Sequence, residues 1–240
     1  MKFFRNLINF ILPPRCLYCG KVLDKDKGLC DTCISEIEFI KEPLCYECGQ
    51  PLYESSGDKK QLRCGNCLRP HRQIFRMSRS ACVYDDVSKN IMLPFKHASK
   101  LKYQTIMSRA MINVLHDLDL DIDIVMPVPL AWRRLFKRGY NQATLLARPI
   151  AKHFNAVLDV DSLSRKYKPD MGHKNAKQRR ENVRGVFKVL NPDKIKGKKI
   201  LLVDDVMTSG ATFYELNRVL RKAGVSAVYA VSFCRVVHAI

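Results

Sequence analysis

KILLVDDVMTSGAT, which spans residues 199–212, is the most informative segment of this sequence for the fold. Its apolar part, residues 200–203, predicts a buried strand that ends at two carboxylates, Asp204 and Asp205. Small residues follow, and a helical pattern then covers residues 213–223. Ligands of open α/β sheets bind outside the carboxyl ends of the strands. The stretch therefore predicts a strand, a loop and a helix, with a ligand site at the loop.

The loop of this unit has the composition of a phosphate site. Small residues let successive backbone N–H groups curl around an anion, and the start of the following helix adds its positive dipole end. The hydroxyl groups of Thr208, Ser209 and Thr212 would complete the cradle. Two carboxylates beside a phosphate would repel it unless they hold sugar hydroxyls, directly or through Mg²⁺. A ribose 5-phosphate satisfies both halves of the site, and a helix-capping acidic turn is the alternative.

The chain beyond about residue 76 alternates apolar runs with helical patterns, as parallel α/β domains do. Besides the strand above, apolar runs predict strands at residues 79–84, 122–130, 156–160 and 225–233. Helical periodicity covers residues 140–154 and the later part of 91–115, whereas 164–184 is polar and basic. These patterns predict one α/β domain over residues 73–240.

The first 72 residues are rich in cysteine. Eight of the ten cysteines of the chain form four Cys-x-x-Cys pairs, namely Cys16/Cys19, Cys30/Cys33, Cys45/Cys48 and Cys64/Cys67. The segment CLYCGKVL, which starts at Cys16, resembles CYECGQPL, which starts at Cys45, and each precedes a second pair. This repeat favours two sequential four-cysteine modules, and an interleaved arrangement of the same pairs is the alternative.

Each Cys-x-x-Cys pair places two thiolates on one tight knuckle, and Gly20 and Gly49 suit the positive φ that a knuckle needs. Two knuckles form a closed tetrahedral set of four sulfurs, which selects zinc over an iron–sulfur cluster. We expect two zinc sites that stabilise the fold and take no part in catalysis. A disulfide framework would need a secretory signal peptide, which the first residues do not supply. Cys82 and Cys234 lie in apolar runs and are expected in the core.

Residues 1–12 space their apolar side chains as a helix does and carry Lys2 and Arg5. The segment is too short to span a bilayer. It is expected to pack on the body of the protein, and contact with a membrane surface is the alternative. We therefore expect a cytoplasmic protein with no transmembrane segment and with two domains, 1–72 and 73–240.

The chain is strongly basic. Its 42 Lys and Arg against 23 Asp and Glu give a net charge of +19, and residues 131–199 hold 19 of the cations and 5 of the acids. That excess is larger than one diphosphate needs and favours a second polyanion, which we expect to be single-stranded DNA. A generally basic, solvated surface is the alternative, since aromatic residues interleave thinly. The candidate nucleic-acid contacts are Arg138, Lys174, Lys177, Arg179 and Arg180.

The motifs resemble those of a known family. VDDVMTSGAT resembles the signature of type I phosphoribosyltransferases, in which an acidic pair precedes a Thr/Ser-Gly-x-Thr run. PVPL at 127–130, RGYNQ at 138–142 and QRRENV at 178–183 are similar to motifs of the ComF/ComFC competence family. The resemblance covers essentially the whole chain. It implies a double zinc ribbon ahead of a type I phosphoribosyltransferase-like domain, an α/β fold whose parallel sheet has helices on both faces.

The resemblance also implies roles for particular residues. Asp204 and Asp205 would contact the ribose hydroxyls of phosphoribosyl pyrophosphate (PRPP), and the 5-phosphate would lie on Thr208, Ser209, Gly210, Ala211 and Thr212. The loop at 127–129, with Val128 at its centre, would hold the pyrophosphate, with Arg133 and Arg134 near it. Residues 174–180 would form a mobile loop over the ligand. The run LPFKHA at 93–98 departs from the family pattern.

The function that the resemblance implies is cytosolic handling of single-stranded DNA during natural transformation, with PRPP and Mg²⁺ as ligands and other DNA-uptake proteins as partners. An active phosphoribosyltransferase, acting on an unidentified base or DNA-linked acceptor, is one alternative. A site kept only to sense nucleotide status is another. The sequence has no evident nucleobase pocket, so PRPP binding by itself does not establish transfer.

Overall fold

The computed structural model describes residues 13–25, 28–52, 58, 62–68, 76–95, 102–116, 118–168 and 176–237. A short helix, α1 (Asp31–Ser35), lies in the Cys-rich part, and every other element follows residue 76. In chain order these are β1 (Met77–Val83), α2 (Asp86–Phe95), α3 (Tyr103–His116), β2 (Ile124–Pro127), α4 (Trp132–Arg138), α5 (Gln142–His153), β3 (Val157–Leu158), β4 (Leu163–Arg165), α6 (Ala176–Val183), β5 (Phe187–Val189), α7 (Pro192–Ile195), β6 (Lys199–Met207), α8 (Ala211–Lys222) and β7 (Ala227–Arg235).

Five strands form one parallel sheet in the order β1-β7-β6-β2-β3. β6 lies at its centre, and Ile200 pairs with Ile124 of β2 on one side and with Val228 of β7 on the other. The strand predicted at 200–203 is thus confirmed, but it continues to Met207. Pairing persists because β7 extends alongside, so that Asp204 pairs with Ser232. The acidic pair therefore lies in the last part of β6 and not after its end.

Helices cover both faces of the sheet, which confirms the predicted fold class. Side chains of β6 alternate between two cores, as a strand that is buried on both sides requires. Leu201 and Val203 pack with α2, α3 and α5, whereas Ile200 and Leu202 pack with α7 and α8. Both cores contain large side chains with almost no exposure, including Phe95, Phe213 and Phe233.

Several elements of the fold were not predicted, including the short helices α1 and α7 and the helix α2, which contains Pro94. α4 follows the loop after β2, and β4 pairs with β5 as a separate antiparallel ribbon. The polar stretch at 164–184 therefore contains the end of β4 and all of α6. A strand of three residues, such as β4 or β5, is too short to display the two-residue alternation by which strands are recognised.

The Cys-rich part is joined directly to the sheet. Phe39 forms an antiparallel bridge with Cys82 of β1, and Ile40 donates its N–H to the carbonyl of Ala81 at 3.0 Å. β1 is an edge strand, and a chain segment bridged along it limits the edge available for pairing with other molecules. The predicted boundary at residue 72 lies outside the described residues.

Cys82 and Cys234 are fully buried and pair with each other in the register of β1 and β7, as core residues do. Within the described ranges, no helix combines the length and the apolar character needed to cross a membrane. The helix predicted over residues 1–12 lies outside the described residues.

Candidate ligand and metal sites

β2 ends beside β6, because the two strands are parallel neighbours and Pro127, the last residue of β2, pairs with Val203. β6 continues beyond that pair to Met207. Val128, the first residue after β2, donates its N–H to the carbonyl of Val203 at 2.8 Å. The loop predicted to hold a pyrophosphate therefore starts beside the acidic pair of β6. The side of the sheet at the carboxyl ends of the strands brings together Asp204, Asp205 and Val128, together with the loop that leads from β6 into α8. We call this group of residues the ligand edge.

The loop after β6 turns sharply into α8. Thr208 and Ser209 form a bend, and Gly210 is the N-cap residue with a φ of +72°. A Cβ at Gly210 would lie 3.1 Å from Cε2 of Tyr214, so the turn is tight as well as left-handed. The cap makes no side-chain hydrogen bond to the helix. The start of this 12-residue helix therefore has the backbone arrangement that anion-binding helix termini share.

The acidic pair is half-buried and ordered by its own backbone. The N–H of Asp205 donates to Oδ1 of Asp204 at 2.9 Å, which orients that carboxylate. The carbonyl of Asp205 accepts from the thiol of Cys234 at 3.8 Å, which ties it to β7. Two half-buried carboxylates at the ligand edge have the chemistry to hold sugar hydroxyls or a divalent cation.

Asn141 fixes the loop after β2 from the other side. Its Nδ2 donates to the carbonyl of Val128 at 3.0 Å, and its Oδ1 accepts from the N–H of Ala143 at 3.1 Å, which caps α5. Next to it, the hydroxyl of Tyr140 donates to the carbonyl of Phe95 at 2.6 Å. Asn141 belongs to the RGYNQ motif at 138–142, but the sequence did not predict a role for it. Its position just before a helical pattern is the signal of an N-cap.

The predicted basic contacts are spread over several elements. Arg133 and Arg134 lie in the first turn of α4, and Arg138 is the last residue of that helix. The guanidinium carbon of Arg133 lies 4.5 Å from the centre of the Tyr167 ring, so in this structure it contacts an aromatic side chain. Lys174 lies outside the described residues, as do the side chains of Lys177, Arg179 and Arg180, whose backbone belongs to α6.

Glu215 of α8 anchors the segment that carries α6 and β5. Its carboxylate accepts the N–H of Gly185 at 2.7 Å and two hydrogen bonds from the guanidinium of Arg218 at 2.6 and 2.9 Å. The hydrogen bonds from Arg218 lower the pKa of Glu215, although its burial acts in the opposite direction. Gly185, in the turn between α6 and β5, is thereby attached to the helix that starts at the ligand edge.

The eight paired cysteines form two separate clusters in sequential order, Cys16/Cys19 with Cys30/Cys33 and Cys45/Cys48 with Cys64/Cys67. In each cluster all sulfurs lie within 4.8 Å of one another. The Cys19 and Cys30 sulfurs are 3.7 Å apart, and those of Cys48 and Cys64 are 3.6 Å apart. A tetrahedron with zinc–sulfur bonds of about 2.3 Å has edges of about 3.8 Å. Both clusters therefore fit a zinc ion.

Backbone N–H groups support thiolates in the first cluster. The N–H of Cys30 donates to the sulfur of Cys16 at 3.3 Å, and that of Cys33 donates to the sulfur of Cys30 at 3.4 Å. Burial opposes ionisation of Cys16, but hydrogen bonds from backbone N–H groups outweigh it and lower the pKa of this thiol to about 6. A thiolate is the form that binds a metal ion.

The second cluster lies against two buried arginines of the sheet. Arg79 of β1 donates to the carbonyl of Tyr46 at 2.9 Å, and Arg235 of β7 donates to the carbonyl of Cys48. Burial lowers the pKa of Arg79, whereas negative charge on Cys45 and Cys48 raises it. Two guanidinium groups thus face a cluster that would carry two negative charges with zinc bound.

Comparison with known proteins identifies both parts of the chain. A double zinc ribbon domain matches residues 7–68, and a phosphoribosyl transferase domain matches residues 141–239. Competence protein F of Haemophilus influenzae is 28% identical over 93% of this chain and 96% of its own. DNA utilization protein YhgH of Escherichia coli K12 is 30% identical over 93% of this chain and 98% of its own. The chain belongs to the ComF/ComFC family.

Membership of the ComF/ComFC family confirms the resemblance that the motifs predicted, and the two cysteine clusters are its zinc ribbon sites. The zinc ribbon match contains all eight cysteines, and the transferase match contains Asp204 and Asp205 but begins after Val128 and α4. Among solved structures, adenine phosphoribosyltransferase from Thermoanaerobacter pseudethanolicus aligns with 57% of this chain and 82% of its own at 14% identity, with a TM-score of 0.37.

Proposed function

We propose that this ComF/ComFC protein binds PRPP with Mg²⁺ at the carboxyl edge of its sheet and handles single-stranded DNA in the cytoplasm during natural transformation. The observation that carries the proposal is the meeting of Asp204, Asp205 and the loop after β6 with the loop at Val128. The names of two relatives, a competence protein and a DNA utilization protein, support the part that concerns DNA. The domains proposed with it are 1–72, for the ribbons, and 73–240.

The roles follow from the chemistry of each group. Asp204 and Asp205 would accept hydrogen bonds from the ribose hydroxyls of PRPP. The 5-phosphate would lie on the N–H groups and hydroxyls of Thr208, Ser209, Gly210, Ala211 and Thr212. The loop that contains Val128 would face the pyrophosphate, with Arg133 and Arg134 beyond it. When bound, Mg²⁺ would neutralise negative charge on the pyrophosphate.

Calorimetric titration with PRPP and Mg²⁺ tests the ligand site. We expect saturable binding by the zinc-loaded protein and at least a tenfold loss of affinity in the double variant Asp204→Asn and Asp205→Asn. The matched control is Asp119→Asn with Asp193→Asn, which removes the same charge from two exposed positions. No heat of binding in the wild-type protein, or equal loss in both double variants, would contradict the proposed site. Repeating the titration with DNA present measures any coupling, which would be reciprocal if the ligand regulates DNA binding.

The proposal that the protein binds DNA rests on its positive charge and has a separate test. Arg179→Ala with Arg180→Ala should weaken binding of oligo(dT) and reduce the slope of log affinity against log salt by about 0.7 for each lost phosphate contact. Lys152→Ala with Lys222→Ala is the control, because both exposed lysines lie in the last turns of helices that start at the ligand edge. Unchanged affinity and slope in the first double variant would remove α6 from the DNA site.

Transferase activity is the second candidate, and the match of residues 141–239 to a phosphoribosyl transferase domain favours it. In that reaction the bond between ribose C1 and the pyrophosphate oxygen breaks, pyrophosphate leaves with the bonding electrons, and the acceptor forms the new bond to C1. Release of pyrophosphate in the presence of a base or of DNA, abolished by Asp204→Asn with Asp205→Asn, would establish it. Absence of release with every common base and with DNA would leave binding as the function.

A further inference from the structure

α4 is a helix without a buried face. None of its seven residues, Trp132–Arg138, is buried. Trp132 is 61% exposed and Phe136 is 87% exposed. Aromatic side chains of this size are usually mostly buried, where they stabilise the fold. Its side chains contribute nothing to either core.

Aromatic and cationic side chains alternate over this surface. Trp132 and Phe136 are four residues apart and therefore share one side of α4, while four of the seven residues are Arg or Lys and none is acidic. The guanidinium carbon of Arg133 lies 5.4 Å from the centre of the Trp132 ring and 4.5 Å from that of Tyr167. Tyr167 is itself exposed and is flanked by Lys166 and Lys168. We call these two segments, α4 and residues 166–168, the aromatic surface.

We infer that the aromatic surface stacks unpaired bases of single-stranded DNA, with its cations other than Arg133 and Arg134 on the flanking phosphates. The inference rests on the proposed function and adds the place and the mode of contact. The positive charge of the aromatic surface favours a polyanion as its partner. The exposed rings favour a polyanion that itself carries aromatic groups, as the bases of DNA do. Stacking on aromatic side chains beside a positively charged track is how single strands are bound without sequence preference.

Other occupants use only part of this surface. A lipid interface binds a helix in proportion to the apolar area that it buries, and α4 offers three apolar side chains, Trp132, Leu135 and Phe136, over two turns. The guanidinium of Arg133 lies over the rings of both Trp132 and Tyr167, so a cation interrupts that apolar area. Nucleic acid is the occupant that uses the rings and the charges together.

The sequence provides a direct reporter, because Trp132 is the only tryptophan in the chain. We expect oligo(dT) to quench its fluorescence saturably and without a blue shift. An abasic oligonucleotide with the same number of phosphates should bind more weakly and leave the emission nearly unchanged. Vesicles of phosphatidylcholine and phosphatidylserine should have no effect on it. A blue shift with vesicles and none of the expected quenching with DNA would overturn the inference in favour of a lipid surface.

The double variant Trp132→Ala with Phe136→Ala measures how much the two rings contribute to the affinity for DNA. The readout is the fluorescence anisotropy of labelled oligo(dT). Losing base stacking on two rings should weaken binding by roughly thirtyfold or more, with the salt slope unchanged because no charge is removed. Val157→Ala with Leu190→Ala removes two exposed apolar side chains elsewhere and should not change affinity. Phe136→Tyr keeps the ring and should bind as the wild type does.

The possible outcomes separate the inference from the function on which it rests. If the wild-type protein binds oligo(dT) without quenching, and the alanine double variant binds equally well, the aromatic surface is not used while DNA binding stands. If no anisotropy change occurs with the wild type, DNA binding itself fails. A change of mass with concentration that disappears in the double variant would assign the surface to a second copy of this chain, and the inference would again be wrong. Far-UV circular dichroism and zinc content show whether each variant is folded.

Discussion

Asn141 and Glu215 each hold a loop in place without belonging to the proposed contacts. Asn141 fastens the loop at Val128, and Glu215 fastens Gly185 to α8. Neither role was visible in the sequence, because each depends on residues that are far apart in the chain or on a turn that only the fold defines. The ligand residues themselves were predictable, since Asp204 and the small residues after it are contiguous.

Glu215 makes stability depend on pH. Its pKa is lowered, chiefly by the hydrogen bonds from Arg218, so its contribution is present above the ordinary pKa of a glutamate and is lost as pH falls through the lowered value. At neutral pH, Glu215→Gln should reduce the free energy of unfolding by about 1–3 kcal/mol, as expected for a charge-assisted hydrogen bond in a buried position.

Urea unfolding of both proteins between pH 3 and pH 8 measures this difference, which should shrink as pH falls. Glu181→Gln is the control, because Glu181 is exposed at α6. A difference that stays constant with pH would show that the carboxylate charge at position 215 does not carry the effect.

At the scale of elements, local patterns predicted the sheet and its central unit, and the failures at α4, β4 and β5 share one cause. β6 shows an unbroken apolar run because both of its faces are buried, and α8 shows helical periodicity because one of its faces is buried. α4 buries nothing, and β4 and β5 have three residues each, so no burial pattern marks them. These three elements are ordered mainly by their neighbours, so sequence patterns did not predict them.

The second ribbon shows how closely one element approaches another. Gly49 follows the Cys45/Cys48 knuckle with a φ of +66°, and a Cβ there would lie 2.6 Å from the carbonyl oxygen of Ser78. Gly49→Ala should therefore destabilise the protein by about 1–2 kcal/mol from the backbone conformation, with a further loss from the contact with β1.

The matched control is Gly65→Ala in the same ribbon, since a Cβ at Gly65 would meet no atom within 4 Å. Chemical denaturation and zinc content of the two variants provide the comparison. Equal stability of the two alanine variants would mean that the ribbon and the sheet separate easily at this contact.

At the scale of the whole molecule, the two ribbons differ in how they join the domain. Cys16, Cys30 and Cys33 belong to the same hydrophobic cluster as α2 and α3, whereas the cysteines of the second ribbon form a cluster of their own. The first zinc site is thus part of the main core. The division into two domains that composition predicts is therefore not a division between two independent cores.

Cys16→Ser and Cys45→Ser test this asymmetry, because each removes one buried ligand from one site. Each variant should retain one zinc per chain in place of two. Cys16→Ser should cost at least about 1 kcal/mol more, which corresponds to roughly 2–4 °C in melting temperature for a chain of this size. Retention of two zinc ions by either variant would contradict the ligand assignment, and equal melting temperatures would contradict the shared core.

The position of β1 also has a consequence during synthesis on the ribosome. β1 is an edge strand whose one sheet neighbour is β7, and Ser80 reaches its partner Ser232 across 152 residues of chain. At about 5–20 residues per second, a nascent β1 waits roughly 8–30 s for that partner to be made. Phe39 and Ile40 emerge before β1 and contact it directly. The first ribbon, once loaded with zinc, is thus placed to shield β1 from aggregation with neighbouring chains until translation ends.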